Sequence, residues 1–259
     1  LVTHEGAPLN DRAMIYDQAF VLLALATLHR ADADEAWRTS AEALLAVLNK
    51  QRHPAGGFRE QPPQPFQANA HMHLLEAALA WREAGGGAVW DQLAREIADL
   101  ALNRFIDRDG GFVREFFDAD WAPATGEQGR HLEPGHQFEW AWLMARLGER
   151  DAARRLFAAG LRGLDPRRNA AVDAVWDDFT VRTPSARLWV QTEYLKAAVI
   201  LGEDQHALTA AKTFARYLRT PAPGLWRDNL KPDNTFVEEP ASASSFYHIV
   251  TAIDVLLSA

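Results

Sequence analysis

Apolar residues recur at helical spacing along almost all of this chain, in segments that come as closely linked pairs. That pattern predicts nine helices, at about 11–29, 32–51, 68–84, 89–106, 134–147, 151–164, 186–201, 204–218 and 242–257. The first places Tyr16, Phe20, Leu23 and Thr27 along one side, with Asp11 as its cap. Pro134 suits the first turn of the fifth. Longer, glycine- and aromatic-bearing loops follow every second helix. The loop after the second holds Pro54, Gly56, Gly57 and the Pro62-Pro63 pair. Gly110-Gly111 and alternating residues predict a short hairpin in 107–123, and 175–184 reads as a second extended excursion.

Helical hairpins in series stack with one helix of each pair inside and the other outside, and loops at one end can then build a site. The polar-aromatic clusters all fall on the first, third, fifth, seventh and ninth helices, so these are expected to form the inner layer. An odd count does not close such a ring. With 259 residues and 48% hydrophobic content, one large domain over 1–259 is the expected organisation. No linker or strict repeat interrupts it.

Composition removes several functions. A net charge of −8 without a basic stripe excludes a polyanion partner, so no nucleic acid is expected. The absence of cysteine excludes disulfides, thiolate metal sites and cysteine nucleophiles. The opening LVTHEGAPLND has neither a basic start nor an apolar stretch, and no apolar run reaches membrane-spanning length. A cytoplasmic chain without a membrane partner is the expectation.

Candidate chemistry sits on the inner set. In ANAHMHLLEA, Asn69, His73 and Glu76 share a face, while His71 lies about 200° around the helix. A pair set so far apart does not grip one metal ion, and buried, hydrogen-bonded polar residues are the competing reading. In HLEPGHQFEWAW, His136 and Glu139 lie one turn apart, a spacing that lets a carboxylate orient an imidazole. Against that, a histidine at a helix N-terminus loses basicity to the helix dipole. The seventh helix aligns Trp189, Glu193 and Lys196, and the ninth carries His248 one turn inside. Trp189 is a candidate sugar-stacking platform, whereas Glu193 with Lys196 also reads as a plain surface pair. His4, His29, His53, His131 and His206 fall in loops or near helix ends and read mostly as solvated.

YDQAFVLLALA from Tyr16, NAHMHLLEA from Asn69, EPGHQFEWAW from Glu133, RLWVQTEYLKA from Arg187 and SSFYHI from Ser244 occur in that order. Together they make the chain resemble the N-acylglucosamine 2-epimerase superfamily, which also contains mannose isomerases, sulfosugar isomerases and cellobiose 2-epimerases. The resemblance implies an all-α (α/α)6 barrel of twelve helices. Nine would lie here and about three before the Tyr16 segment, one of them carrying a substrate-contacting arginine with no counterpart in this chain. It further implies that His136 and His248 are the acid/base histidines at sugar C1–C2, that His73 helps open the ring, and that Glu139 assists proton transfer. Asn69 and Trp189 are implied substrate contacts, with Glu193 and Tyr16 beside them. No redox cofactor and no metal are implied. Uncovered inner helices would favour association, so a homodimer is expected to be possible.

The expected reaction is aldose–ketose isomerisation at C1/C2 of a mannose-type sugar or its 6-phosphate, through an enediol(ate). A histidine can take and return a proton near neutral pH, and donors must stabilise the enediolate oxygen. Return of the proton to the other face of C2 would give a sugar 2-epimerase instead. A glycoside hydrolase or lyase would need two carboxylates across a cleft, and neither Asp177 with Asp178 nor Asp118 with Asp120 pairs convincingly. A non-catalytic sugar-binding or incomplete barrel is the remaining alternative.

Overall fold

A computed structural model describes residues 3–9, 12–60 and 65–258, in which ten α-helices occur. They are α1 Ile15–Asp32, α2 Glu35–Leu48, α3 Ala68–Glu83, α4 Ala88–Leu100, α5 Gly126–Arg130, α6 Pro134–Leu147, α7 Arg150–Leu161, α8 Leu188–Leu201, α9 Asp204–Tyr217 and α10 Ser245–Leu257. Nine match the predicted segments. The short α5 was not expected, and a π-helical turn at Ala101–Phe105 replaces the predicted end of α4. The Asp11 cap and the Pro62-Pro63 turn lie outside the described residues. The first helix begins at Ile15 with Met14 at its cap position.

The described residues divide into two compact units. One holds those up to Asn103 with Phe116–Ala122; the other holds Arg104–Glu115 with those from Pro123 onward. In the first unit α1 packs against α2 and α3, and α3 against α4. In the second, α6 packs against α7 and α8, and α8 against α9 and α10. Two kinds of helix result. In α3, α6 and α8 nearly every residue of the first three turns is buried. In α2, α4, α7 and α9 only one apolar stripe is buried, as for helices that face a core on one side and water on the other. Of the predicted inner set, α3, α6 and α8 are buried nearly all round, whereas α1 and α10 bury only one side; the predicted outer set is α2, α4, α7 and α9.

Local signals account for the helix ends. Asp34 caps α2, its carboxylate accepting from the Ala36 amide at 2.9 Å. Gly148 and Gly202 close α6 and α8 with φ of 91° and 75°, a region that costs other residues a steric penalty.

Two-residue strands lead into the buried helices. Phe66–Gln67 pairs with Phe116–Phe117 before α3, His131–Leu132 with part of Ala174–Trp176 before α6, and Ala186–Arg187 with Asn229–Leu230 before α8. The excursion at 175–184 is a hairpin of Ala174–Trp176 and Val181–Thr183. The predicted 107–123 hairpin is reduced to one bridge, Ile106 with Val113, around the Gly110-Gly111 turn, and Phe116–Phe117 pairs instead with Phe66–Gln67.

One buried side chain near the start of each of these three helices clamps the chain outside it. Gln137 accepts from the Val113 amide (2.7 Å) and donates to the Val113 carbonyl (3.0 Å). Gln191 does the same with Ala171, at 2.9 Å each way. His71 takes the corresponding place in α3. Its Nε2 accepts from the Phe58 amide and its Nδ1 donates to the Gln67 carbonyl, both at 3.0 Å. These bonds fix His71 as the neutral tautomer, and burial pushes its pKa down to about 4. They also satisfy backbone groups that would otherwise be buried without partners.

Candidate active site

In the second unit α6, α8 and α10 bring His136, Trp189 and His248 together. The Trp189 indole lies between the two imidazoles, with ring centres 5.2 Å from His136 and 5.6 Å from His248. Gly135 makes room for it, since a Cβ there would stand 2.4 Å from the indole Cη2. Each histidine is oriented from behind. His136 Nδ1 is 2.8 Å from Glu115 Oε2, and His248 Nδ1 is 2.8 Å from Glu193 Oε1. In both rings Nε2 is the nitrogen left for proton exchange.

His136 is set among carboxylates. Burial opposes charge on His136, but Glu115, Glu133 and Glu139 outweigh it and push its pKa from 6.5 up to about 10. This corrects the sequence expectation that the helix N-terminus would make His136 less basic. Three carboxylates exceed the partial charge of one helix end. Glu139, expected as the direct partner of His136, acts on it through its charge, while the hydrogen bond goes to Glu115. Burial likewise opposes charge on Glu133, yet His136, His131 and Arg187 hold its carboxyl down at about 2. Arg187 is 3.3 Å from Glu133 and 3.3 Å from Asp173, and Arg182 donates to His131 Nδ1 at 2.6 Å.

Behind His248 the carboxylate is shared. Glu193 Oε2 lies 2.7 Å from Lys196 Nζ, and both side chains are 0% exposed. Burial works against the Glu193 carboxylate, but Lys196 and His248 hold its pKa below the usual range. The ammonium also lies 4.2 Å from the face of Trp142. The surface-pair reading of Glu193 and Lys196 is therefore wrong, because the pair is in the core of the unit.

In the first unit His73 Nδ1 faces Glu76 Oε2 at 3.2 Å, both buried. Tyr16 and Phe20 from α1 pack on the ring at 5.1 and 4.5 Å. His73 and Glu76 also have the donor types that a divalent cation takes. Asn69, at the start of α3, keeps its Oδ1 buried with no hydrogen-bond partner among the described residues. Of the histidines expected in solvent, His29 is buried, stacked on Trp81 at 5.4 Å. His53, His131 and His206 are half-buried, with His206 Nδ1 2.6 Å from the Tyr194 hydroxyl.

The sequence reading missed Glu115 and Glu133 as the carboxylates around His136. For Glu115 a signal was present. In Phe112–Phe117 strict alternation puts Val113, Glu115 and Phe117 on one side, and all three are buried. An acidic residue on the apolar side of such a segment needs a partner.

Solved structures share this fold. A D-mannose isomerase aligns with a TM-score of 0.84 at 22% identity, over 98% of this chain and 73% of that one. A cellobiose 2-epimerase from Spirochaeta thermophila DSM 6192 aligns with 0.83 at 21%, over 99% and 74%. The fold is accordingly all-α, of the (α/α)6-barrel class. Among relatives, the mannose-6-phosphate isomerase of Rhizobium meliloti (strain 1021) is 45% identical over 98% of this chain and 72% of its own length. The D-mannose isomerase of Thermobifida fusca is 28% identical over 88% and 64%. The chain belongs to the N-acylglucosamine 2-epimerase family, whose pattern matches residues 1–252, and it is an enzyme of the isomerase class. No described helix is long and apolar enough to cross a membrane.

Proposed function

We propose that this enzyme interconverts an aldose and a ketose at C1/C2 of a mannose-type sugar or its 6-phosphate, with His248 and His136 moving the protons. The observation that carries this reading is the pair of imidazoles flanking one indole, each with Nδ1 held by a buried carboxylate. Trp189 offers an apolar face for the sugar. The names of the two relatives, mannose-6-phosphate isomerase and D-mannose isomerase, support the substrate class.

The roles follow from charge. His136 rests as an imidazolium at neutral pH and acts as the acid. His248 Nε2 takes the C2 proton while His136 gives a proton to the carbonyl oxygen O1, leaving a neutral enediol. His136, now neutral, accepts the O2 hydroxyl proton as His248 returns its own proton to C1, giving the ketose. Both histidines end as they began. The charge that develops on oxygen stays beside the imidazolium, where it is stabilised most. Before this step the ring must open. His73, backed by Glu76, is proposed for that proton transfer, and Asn69 Oδ1 for a sugar hydroxyl. Glu139 keeps His136 charged, and Tyr16 packs on the His73 ring.

Incubation with mannose and with mannose 6-phosphate in heavy water, followed by proton NMR, tests the reading. Fructose or its phosphate with deuterium at C1 supports it. A C2 epimer carrying deuterium at C2 replaces it with a 2-epimerase, in which His136 protonates the opposite face of C2.

A further inference from the structure

We propose that Lys196 is a positioning residue that keeps His248 available as a base by competing with it for the Glu193 carboxylate. The inference rests on the reading of His248 as the base. Glu193 has one oxygen 2.8 Å from His248 Nδ1 and the other 2.7 Å from Lys196 Nζ. Carboxylate and ammonium are both fully buried, so water screens neither. The ammonium also lies near two aromatic faces, Trp142 at 4.2 Å and Tyr247 at 6.0 Å. To His248 the pair behind it is close to neutral overall.

His136 shows what a histidine becomes without such a cation. Its partner Glu115 is bonded by the His136 ring and by the Glu133 amide, and Glu133 and Glu139 add negative charge. That ring is held as a cation. A base and an acid are both needed, and the two sites have the same imidazole–carboxylate geometry. The difference lies at the bonded carboxylate: Lys196 pairs with Glu193 itself, whereas the cation beside the His136 site, Arg187, pairs with Glu133 and Asp173. The groups facing His248 from α8 are Glu193 and, through it, Lys196. Trp189 covers the ring, and Tyr247 is its neighbour on α10, with ring centres 4.9 Å apart.

Lys196→Met removes the competitor, so Glu193 acts on His248 alone. An unopposed carboxylate at this distance raises a histidine pKa by about one to three units. The acidic limb of the kcat profile should move up by that amount. At a fixed pH on that limb activity should fall by about 10- to 1000-fold, tenfold for each unit, and recover as the pH is raised by the same number of units. Glu193→Gln combined with Lys196→Met removes both charges and should bring the limb back down. A uniform loss at every pH, with the limb unmoved, would overturn the proposal. Histidine 15N NMR follows His248 directly in Lys196→Met, and a titration identical to that of the unaltered enzyme would also overturn it. The companion variant His248→Asn separates the two readings. If it still exchanges the C2 proton, His248 is not the base, while the NMR titration still decides whether Lys196 controls its charge.

Discussion

Gly135→Ala tests whether the Trp189 platform must sit where it does. Gly135 is in the first turn of α6, where alanine is the better helix former by about 0.5–1 kcal/mol. The added Cβ, however, would stand 2.4 Å from Cη2 and 2.4 Å from Cζ3 of the indole. Ordinary contact begins at 3.4 Å, so the ring must move by about 1 Å. It is wedged between His136 and His248, so it cannot move without disturbing one of them. Overpacking costs about 1–3 kcal/mol, which the helix gain partly offsets, leaving a stability loss of about 2 kcal/mol or less. A displacement of 1 Å in a positioned site costs about 100-fold in rate. The expected result is a folded enzyme, seen by circular dichroism and urea unfolding, with kcat/KM down about 100-fold. Turnover within about twofold of the unaltered enzyme, in a variant shown to be folded, would refute the idea that this stack positions the histidines.

Glu115→Gln should lower the His136 pKa and move the alkaline limb of the kcat profile from near 10 toward neutrality. The sign for stability is that of a raised pKa. The contribution is present in full below the unfolded value near 6.5 and is lost as pH rises through about 10, so the variant should lose that alkaline dependence in urea titrations. His71 has the opposite sign. With its folded pKa held at about 4, stability falls as pH drops from 6.5 toward 4, by about 3 kcal/mol in all. His71→Gln should keep both backbone bonds, as Gln191 does, and flatten that acid decline in unfolding curves measured from pH 7 to 4. Gln137→Leu strips the Val113 amide and carbonyl of their partner and should cost about 2–4 kcal/mol in urea unfolding.

Much of the candidate site could be read from the sequence because its residues sit on helices. Within one helix, spacing fixes which side chains share a face, and His73 with Glu76 met as their i, i+3 spacing required. What spacing leaves open is what lies opposite. Glu193 and Lys196 have the same spacing on a buried helix as on an exposed one, so their sequence could not separate a surface pair from a core pair. The hairpin at 107–123 held only around its Gly110-Gly111 turn, for a related reason. Alternation marked the segment as extended, but the strand it pairs with lies at Phe66–Gln67.

The sequence by itself determined the helices, their pairing, the family and the candidate histidines. These depend on local periodicity, on caps within a few residues, and on motifs carried in order along the chain. Tertiary structure alone decided which carboxylate stands behind each histidine. Glu115 reaches His136 across 21 residues and Glu193 reaches His248 across 55. It also decided which carboxylates surround His136 and hold it charged. Electrostatic energy depends on distance and burial, which no residue possesses until the elements around it have packed.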